Sequence, residues 1–251
     1  MNQRDAVDEI LAHIDESDIK GDSTLQSIEK LAPILKNLVD NRENINVIVA
    51  LGSGRGGFVS ALSSLLDAQE VHAIDSSRDA LEEASNIGLE VHQIDLECGS
   101  IPLSNGTTDL VVSLGLLEHL TWYDNVLSET KRVLRDGGFT VFAMPNMAGW
   151  TNRLSILTGN QPRNIEFSQQ MPFGIMDAYA ADYTVGHVHT PTVGAFREFV
   201  EYQDFEVIDT VGLHPYQEGH LVTFVDRLVD RRPSLCRRFA ILARSRSGAD
   251  R

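Results

Sequence analysis

A continuous apolar segment that runs directly into a cluster of glycines constrains this chain more than any other feature. Residues 45–51 are apolar and β-rich, and the sequence Gly-Ser-Gly-Arg-Gly-Gly follows at once over 52–57, before a stretch of helical periodicity that ends at Leu66. This order predicts a buried strand, a tight turn and a helix. Such units build a parallel sheet wrapped by helices, in which ligands bind at the carboxyl ends of the strands.

The same alternation continues along the chain. Hydrophobic periodicity predicts six further strands, over 70–74, 89–94, 108–114, 139–143, 205–211 and 239–243. It also predicts helices, over 5–15, 24–39, 78–86, 123–134, 193–202 and 220–229. Asp136-Gly137-Gly138 is expected to form the turn between a helix and the next strand. The predicted fold class is therefore α/β, with a doubly wound, mostly parallel, seven-stranded sheet and an antiparallel terminal strand.

The domain organisation follows from length and composition. A chain of 251 residues fits one α/β domain better than two. We predict an N-terminal helical cap over 1–42 and a main domain over 43–251. Between 145 and 191 the periodicity gives way to Gly, Pro, Asn and aromatic residues, which indicates a lid inserted over the substrate.

Charge and cysteine content exclude several classes of function. The net charge is −15, from 36 acidic and 21 basic residues, and this field repels phosphate backbones, so we expect no nucleic-acid partner. Cys98 and Cys236 form neither a disulfide framework nor a metal motif. The chain begins without the apolar run of a secretory signal, and residues 110–117 are too short to span a membrane. We therefore expect a cytoplasmic protein.

The glycine turn fits two nucleotide-binding patterns. Gly52, Gly54 and Gly56 match G-x-G-x-G, whereas Gly52, Gly54 and Gly57 match G-x-G-x-x-G, and spacing alone does not choose between them. Asp75 ends the second strand 23 residues after Gly52, where a carboxylate can accept both ribose hydroxyls of an adenosine cofactor. Its alternative role is to cap the following helix.

Several short motifs then follow in order: Val47 to Gly56, His72 to Asp75, Gln93 to Leu96, Asp109 to Ser113, Leu117 to Leu120 and Leu134 to Gly138. Over residues 45–145 this series resembles the small-molecule branch of class I, Rossmann-like S-adenosylmethionine-dependent methyltransferases. The resemblance implies a Rossmann-like methyltransferase fold, S-adenosyl-L-methionine as the cofactor and methyl transfer as the activity. The series departs from the family at Ala50, where an acidic residue that helps to organise the methionine amino group is usual.

The resemblance also implies a set of cofactor-binding residues: Gly52, Ser53, Gly54, Gly56, Asp75, Ser76, Asp95, Leu96 and Ser113. In this set Asp95 would accept from the exocyclic amine of adenine, Leu96 would lie beside the ring, and Ser113 would lie near the methionine end. Asp95 and Asp109 could instead cap or terminate strands, and for Asp109 we prefer that interpretation.

Methyl transfer from a sulfonium depends mainly on positioning, so no universal catalytic residue is expected. A hydroxyl acceptor would need a base, and the candidates are His119 and, in the lid, His187 and His189. We predict that His187 lies closer to the methyl than His119 does. The alternative role of His119 is to orient its loop. We predict no metal, although His187 and His189, with Asp177 and Asp182, could hold one. Four aromatic residues either line the acceptor pocket or pack the lid: Phe167, Phe173, Tyr179 and Tyr183.

The C-terminal segment differs in charge from the rest. Residues 219–251 hold eight basic and three acidic residues, a net charge of +5, which could dock the protein on an anionic membrane surface or neutralise its own acidic surface. The predicted acceptor is a small molecule or a sugar or lipid-linked glycan, and the sequence specifies no oligomeric state. The alternatives are a non-catalytic scaffold and a nicotinamide-dependent oxidoreductase.

Overall fold

The computed structural model describes residues 3–12, 29–176, 184–214 and 220–247. Within them lies one seven-stranded sheet, with the strands β1 Val47–Leu51, β2 Glu70–Asp75, β3 Glu90–Gln93, β4 Thr108–Leu114, β5 Leu134–Pro145, β6 Phe205–Leu213 and β7 Arg238–Ser245. The helices are α1 Gln3–Leu11, α2 Ala32–Asp40, α3 Gly57–Leu66, α4 Arg78–Asn86, α5 Asp124–Val133, α6 Trp150–Leu157, α7 Val193–Tyr202 and α8 His220–Val229. Two short 3₁₀ helices cover Arg42–Asn44 and Leu117–His119.

The strand order is β3-β2-β1-β4-β5-β7-β6. Strands β1 to β5 pair in parallel, whereas β7 pairs antiparallel with both β5 and β6. The predicted sheet, with its antiparallel last strand, is confirmed. The order reverses between β1 and β4, and in open α/β sheets the crevice for ligands lies at that point, beyond the carboxyl ends of the strands.

Two buried clusters cover the two faces of the sheet. One joins side chains of β1 and β4 to α3 and to the N-terminal helices, including Ile10 and Leu35. The other joins the opposite faces of β1, β4 and β5 to α5 and α7, including Leu127 and Phe196. Alternate residues of each central strand supply the two clusters, as expected for a sheet that is buried on both faces. The N-terminal helices therefore share the core of the sheet.

One predicted turn is part of a strand. Asp136-Gly137-Gly138 was expected to separate helix and strand, but β5 begins at Leu134, directly after α5. Thr108 pairs with Leu134 and Leu110 with Phe139, so extra residues of β5 bulge out of the ladder between these pairs. Gly137 lies in this bulge and has a φ of 76°. The glycines thus serve an irregular strand, which hydrophobic periodicity does not reveal.

The predicted lid region contains α6 and long irregular connections within its described part. Asn146, which is buried just after β5, donates from its side-chain amide to the carbonyls of Ser234 and Cys236. Its own carbonyl accepts a hydrogen bond from the side chain of Asn152 in α6. These bonds tie the start of the region to the segment that leads into β7.

Candidate functional site

The glycine turn after β1 adopts a conformation that favours glycine. Gly52, Gly54 and Gly56 have φ angles of 65°, 53° and 80°, which L side chains rarely adopt. A Cβ on Gly52 would also lie 2.9 Å from Leu116 Cβ. The turn brings the N-terminus of α3, with its unpaired N–H groups, to the carboxyl ends of β1 and β4. An anionic group can bind there.

Asp75 joins the turn to the end of β2. Its Oδ2 accepts a hydrogen bond from the Gly54 N–H at 2.9 Å, and its Oδ1 accepts one from the Ser77 N–H at 2.9 Å. The side chain that caps α4 is that of Ser77, which accepts from the Ala80 N–H. A carboxylate has about four acceptor sites, so Asp75 can still accept from hydroxyl groups of a ligand. Ser76 beside it is exposed.

The end of β3 lies next to the end of β2. The Ile94 N–H donates to the Asp75 carbonyl, which brings Asp95 to the same edge. Asp95 is exposed and accepts from the Glu97 N–H at 3.0 Å, whereas the following Leu96 is buried. The amide of Asn125 on α5 donates to the carbonyls of Leu96 and Gly99 and fixes this loop. Sequence reasoning missed Asn125, because only tertiary contact links α5 to the loop.

The two polar residues of β4 lie at opposite ends of the strand. Ser113 is buried at the carboxyl end, and its hydroxyl has no hydrogen-bond partner among the described residues. Asp109 is buried at the amino end, where it accepts from the Asn46 and Val47 N–H groups and pairs with Arg135. Asp109 therefore terminates strands, in line with the interpretation we preferred.

A compact group forms where Leu117–His119 meets residues 186–188, and we call it the Glu118 cluster: Glu118, His119, His187 and Arg238. Glu118 is buried; its Oε1 accepts from Arg238 Nη2 at 3.2 Å and lies 3.9 Å from His187 Nε2. The rings of His119 and His187 lie 5.1 Å apart, centroid to centroid. The structure thus brings together two of the three candidate bases, and it adds Glu118 and Arg238, which the sequence analysis did not single out.

The backbone around His187 is held by one carboxylate. Glu166 accepts hydrogen bonds from the N–H groups of Val185, Gly186 and His187, at 2.6 to 3.2 Å. The Gly186 carbonyl in turn lies 3.1 Å from His119 Nδ1, which must donate to it. Glu166 belongs to no recognisable sequence motif, so only the folded structure reveals its hydrogen bonds to the backbone around His187.

Burial sets the protonation of His187. Loss of water around the ring, followed by the positive fields of His119, Arg238 and Arg163, lowers the pKa of His187 to about 3. Its imidazole is therefore neutral at every pH at which the protein would normally work. A neutral imidazole can accept a proton, but a base with so low a pKa is weak near neutral pH.

The other predicted lid residues do not join this cluster. His189 Nε2 donates to the Thr121 carbonyl, and the His189 ring stacks on Tyr123. Residues 184–190 form no strand. Phe167 and Phe173 are exposed and stack on each other. Four other predicted lid residues lie outside the described residues: Asp177, Tyr179, Asp182 and Tyr183.

Comparison with known proteins gives a consistent result. Residues 48–138 match a family model described as a methyltransferase domain. Over 100 residues the chain is 28% identical to a malonyl-[acyl-carrier protein] O-methyltransferase of Geobacter sulfurreducens, a match that covers 39% of this chain and 38% of that protein. The chain thus spans well under half of the length of this curated relative.

Solved structures share the fold at low sequence identity. An S-adenosylmethionine-dependent methyltransferase from Mesorhizobium loti superposes with a TM-score of 0.57 at 15% identity, covering 86% of this chain and 97% of that one. Another, from Archaeoglobus fulgidus, gives a TM-score of 0.55 at 15% identity, covering 85% and 92%. These similarities confirm the predicted fold.

Proposed function

We propose that this chain transfers the methyl group of S-adenosyl-L-methionine to a small acceptor. The premise is that residues 48–138 form a class I, Rossmann-like methyltransferase domain. The observation that carries the proposal is the hydrogen bond between Asp75 and Gly54. This bond joins the carboxylate that we propose for the ribose to the turn that we propose for an anionic group, at the point where the strand order reverses.

Each predicted cofactor residue has a role in this proposal. The turn formed by Gly52, Ser53, Gly54 and Gly56 receives the methionine carboxylate, and Asp75 accepts the ribose hydroxyls. Asp95 has lone pairs left after its bond to Glu97 and accepts from the adenine amine. Leu96 contacts the ring, Ser76 lies beside the ribose, and the unpaired hydroxyl of Ser113 contacts the methionine end. Ala50 offers no carboxylate to the methionine amino group.

The chemistry needs little from the protein beyond positioning. The acceptor attacks the methyl carbon in line with the sulfonium sulfur, the carbon–sulfur electron pair stays on sulfur, and S-adenosylhomocysteine is released. For a hydroxyl acceptor, the neutral His187 accepts the proton, and His119 holds the loop through Gly186. A carboxylate acceptor needs no base. The described parts of the lid, over 145–176 and 184–191, would cover this path.

The acceptor we propose is a small molecule or a sugar or lipid-linked glycan. The relative from Geobacter sulfurreducens is named for methyl transfer to malonyl-[acyl-carrier protein], and its alignment is too short to carry that acceptor to this chain. The imidazoles of the Glu118 cluster lie beside the carboxyl ends of the strands. Their position supports the proposal of a polar acceptor.

Calorimetric titration of S-adenosylmethionine and S-adenosylhomocysteine tests the cofactor. We expect Asp75→Ala to weaken binding by about 10- to 100-fold, since hydrogen bonds to a charged group are worth about 1.5–3 kcal/mol. Asp109→Ala is a matched control that removes a carboxylate from the far end of a strand, and its folded fraction should bind normally. Tight binding of a nicotinamide dinucleotide with none of S-adenosylmethionine would overturn the proposal, and cofactor binding without transfer to any acceptor would favour the scaffold.

Membrane contact is a finer proposal that rests on α8. Phe224 and Leu228 are exposed at i and i+4, and Arg227 on the same helix and Arg231 just beyond its end are exposed too. A helix with aromatic and aliphatic residues beside arginines suits an anionic membrane surface. Arg237 and Arg238, in contrast, are buried in ion pairs with acidic residues, so only part of the C-terminal positive charge is available. Among the described residues no helix is long and apolar enough to span a bilayer.

Flotation with vesicles containing anionic lipid tests this contact. We expect the wild-type chain to float at low salt and the Phe224→Glu/Leu228→Glu variant to stay in solution. Tyr202→Glu changes a similarly exposed aromatic residue on α7 and should leave flotation unchanged. A wild-type chain that stays in solution at low salt would refute membrane contact without affecting the methyltransferase assignment.

A further inference from the structure

A second cluster of imidazoles and carboxylates lies at the outer edge of the sheet, and we call it the His72 cluster: Glu70 and His72 on β2 with Glu90 and His92 on β3. The parallel register pairs His72 with Glu90 and Ile74 with His92. Side chains two residues apart in a strand share a face. Regular pairing of the two strands therefore holds these four side chains on one face, with no dependence on the turn and lid of the proposed methyltransferase site.

Glu70 fixes the tautomer of His72. Its Oε1 lies 2.7 Å from His72 Nε2, and an ionised carboxylate can only accept, so Nε2 carries the proton. A neutral imidazole protonated at Nε2 has its lone pair on Nδ1. Carboxylate–histidine pairs of this kind orient histidine ligands in metal sites. The lone pair of the buried His72 is thus directed to its Nδ1 side, where His92 and Glu90 lie.

Ligand atoms of three residues, with both oxygens of Glu90 among them, converge there at distances that suit a tetrahedral metal. His72 Nδ1 lies 3.0 Å from His92 Nε2 and 3.7 Å from Glu90 Oε2, and His92 Nε2 lies 3.6 Å from Glu90 Oε1. Zinc binds nitrogen and oxygen at about 2.0–2.1 Å, so two ligands at a tetrahedral angle are about 3.3–3.4 Å apart. The observed separations bracket that value, and no strand needs to move.

The charge around these atoms also suits a cation. Within the described chain, no lysine or arginine forms an ion pair with Glu70 or Glu90; their ion-pair partners are the two histidines. Burial, and then the field of His72, lower the pKa of His92. Glu90 is exposed, which leaves an entry path.

We propose that His72, Glu90 and His92 bind one divalent cation of the zinc class, with Glu70 as the outer carboxylate. Two imidazoles and one carboxylate select zinc or a neighbouring first-row metal, since magnesium and calcium prefer oxygen ligands alone. Water completes the fourth position. Because β3 is an edge strand of only four residues, the metal joins it to β2 and stabilises the edge of the sheet.

Titration of Zn²⁺ or Co²⁺ into the full chain, stripped beforehand with a chelator, tests the site. We expect uptake of one ion per chain and a higher melting temperature with bound metal. Glu70→Ala should weaken binding by about 10- to 100-fold, as loss of an outer partner typically does. His92→Ala and Glu90→Gln each remove a direct ligand and should weaken it more. These two positions are at least partly exposed, so both variants should fold, whereas a change at the buried His72 could unfold the chain.

His119→Ala is the matched control, because it removes an imidazole from the Glu118 cluster, the other group in the described residues that could hold an ion. It should bind Zn²⁺ as the wild type does. Absence of saturable uptake by the wild-type chain would overturn the proposal. Binding that survives in His92→Ala and disappears in His119→Ala would do so too, because it would assign the metal to the other cluster.

Discussion

The Glu118 cluster combines two imidazoles with one buried carboxylate, and the His72 cluster combines two imidazoles with two exposed carboxylates. The two clusters also differ in what accompanies the carboxylates. In the first, the Arg238 guanidinium donates to Glu118, and the two rings are 5.1 Å apart, centroid to centroid. In the second, Glu70 and Glu90 face only imidazoles, and two ring nitrogens approach to 3.0 Å.

This difference teaches that residue types alone do not set the chemistry of a cluster. A guanidinium beside a carboxylate neutralises it, repels a metal ion and lowers the pKa of a nearby imidazole. Two carboxylates without a cation leave a negative site that orients lone pairs toward one point. The first arrangement suits a polar substrate, and the second suits a cation. Measurements on variants test this difference between the Glu118 cluster and the His72 cluster.

Loss of Arg238 should have the largest effect. Arg238→Met leaves Glu118 buried without its cation, and breaking a buried pair from one side costs about 3–5 kcal/mol of unfolding free energy. Replacing both partners in an Arg238→Met/Glu118→Leu double variant should cost less, because no charge is left unpaired. Urea denaturation of the four members of this cycle measures both costs. Equal losses in the single and double variants would show that the pair contributes packing alone.

His187→Ala should reduce the single-turnover rate with a hydroxyl acceptor by about 10²-fold, the lower end of the range for general bases, because a base with a pKa of about 3 is weak. Affinity for S-adenosylmethionine should hardly change. His119→Ala should lose less, since that ring donates to the Gly186 carbonyl from Nδ1. An unchanged rate in His187→Ala would remove its role as a base and favour a carboxylate acceptor.

The lowered pKa of His187 also predicts a pH dependence of stability. In the unfolded chain its ring takes up a proton below pH 6.5, whereas in the folded chain it stays neutral down to about pH 3. The stability is fully present above pH 6.5 and is lost as the pH falls toward 3. Between pH 7 and 5 the wild type should lose about 2 kcal/mol more unfolding free energy than His187→Gln. Parallel curves for the two proteins would contradict the burial of a neutral ring.

The smallest expected effect is that of the His72 cluster on methyl transfer. His92→Ala should leave the single-turnover rate and cofactor affinity within about twofold of the wild type, because the side-chain partners of His92 are His72 and Glu90, which belong neither to the proposed cofactor site nor to the Glu118 cluster. Assays with and without added Zn²⁺ make the comparison. A large loss of rate on metal removal, absent from His92→Ala, would indicate that the metal acts near the Glu118 cluster.

Much of the fold could be predicted from the sequence, because periodicity and glycine turns act locally. The helices α4, α7 and α8 have the predicted bounds, and the sheet has the predicted strands. The predicted start of β5 was wrong, because a bulge depends on pairing with the neighbouring strand. The alternative role of Asp75, capping α4, is filled by Ser77, whose side chain accepts from the Ala80 N–H.

Only those residues of the candidate site that lie directly after a strand could be predicted from the sequence. Gly52, Gly54 and Asp75 lie at strand ends, and strand ends of a parallel sheet meet at one edge. Glu118, Glu166 and Arg238 come from a short helix, the lid region and the start of β7, and only the packed chain brings them together. Their positions along the sequence do not indicate that these three residues lie close together in the fold.

The sequence alone specifies the order of strands and helices, the glycine turn and the resemblance to a methyltransferase domain, because each depends on residues close together in the chain. Tertiary structure decided which charges meet. Arg238 lies 120 residues from Glu118 and contacts it, whereas His72 and His92 are 20 residues apart and contact through strand pairing. Electrostatic fields depend on distance in space and on burial. The protonation of His187 and the fit of the His72 cluster to a cation were therefore decided only when the chain was packed.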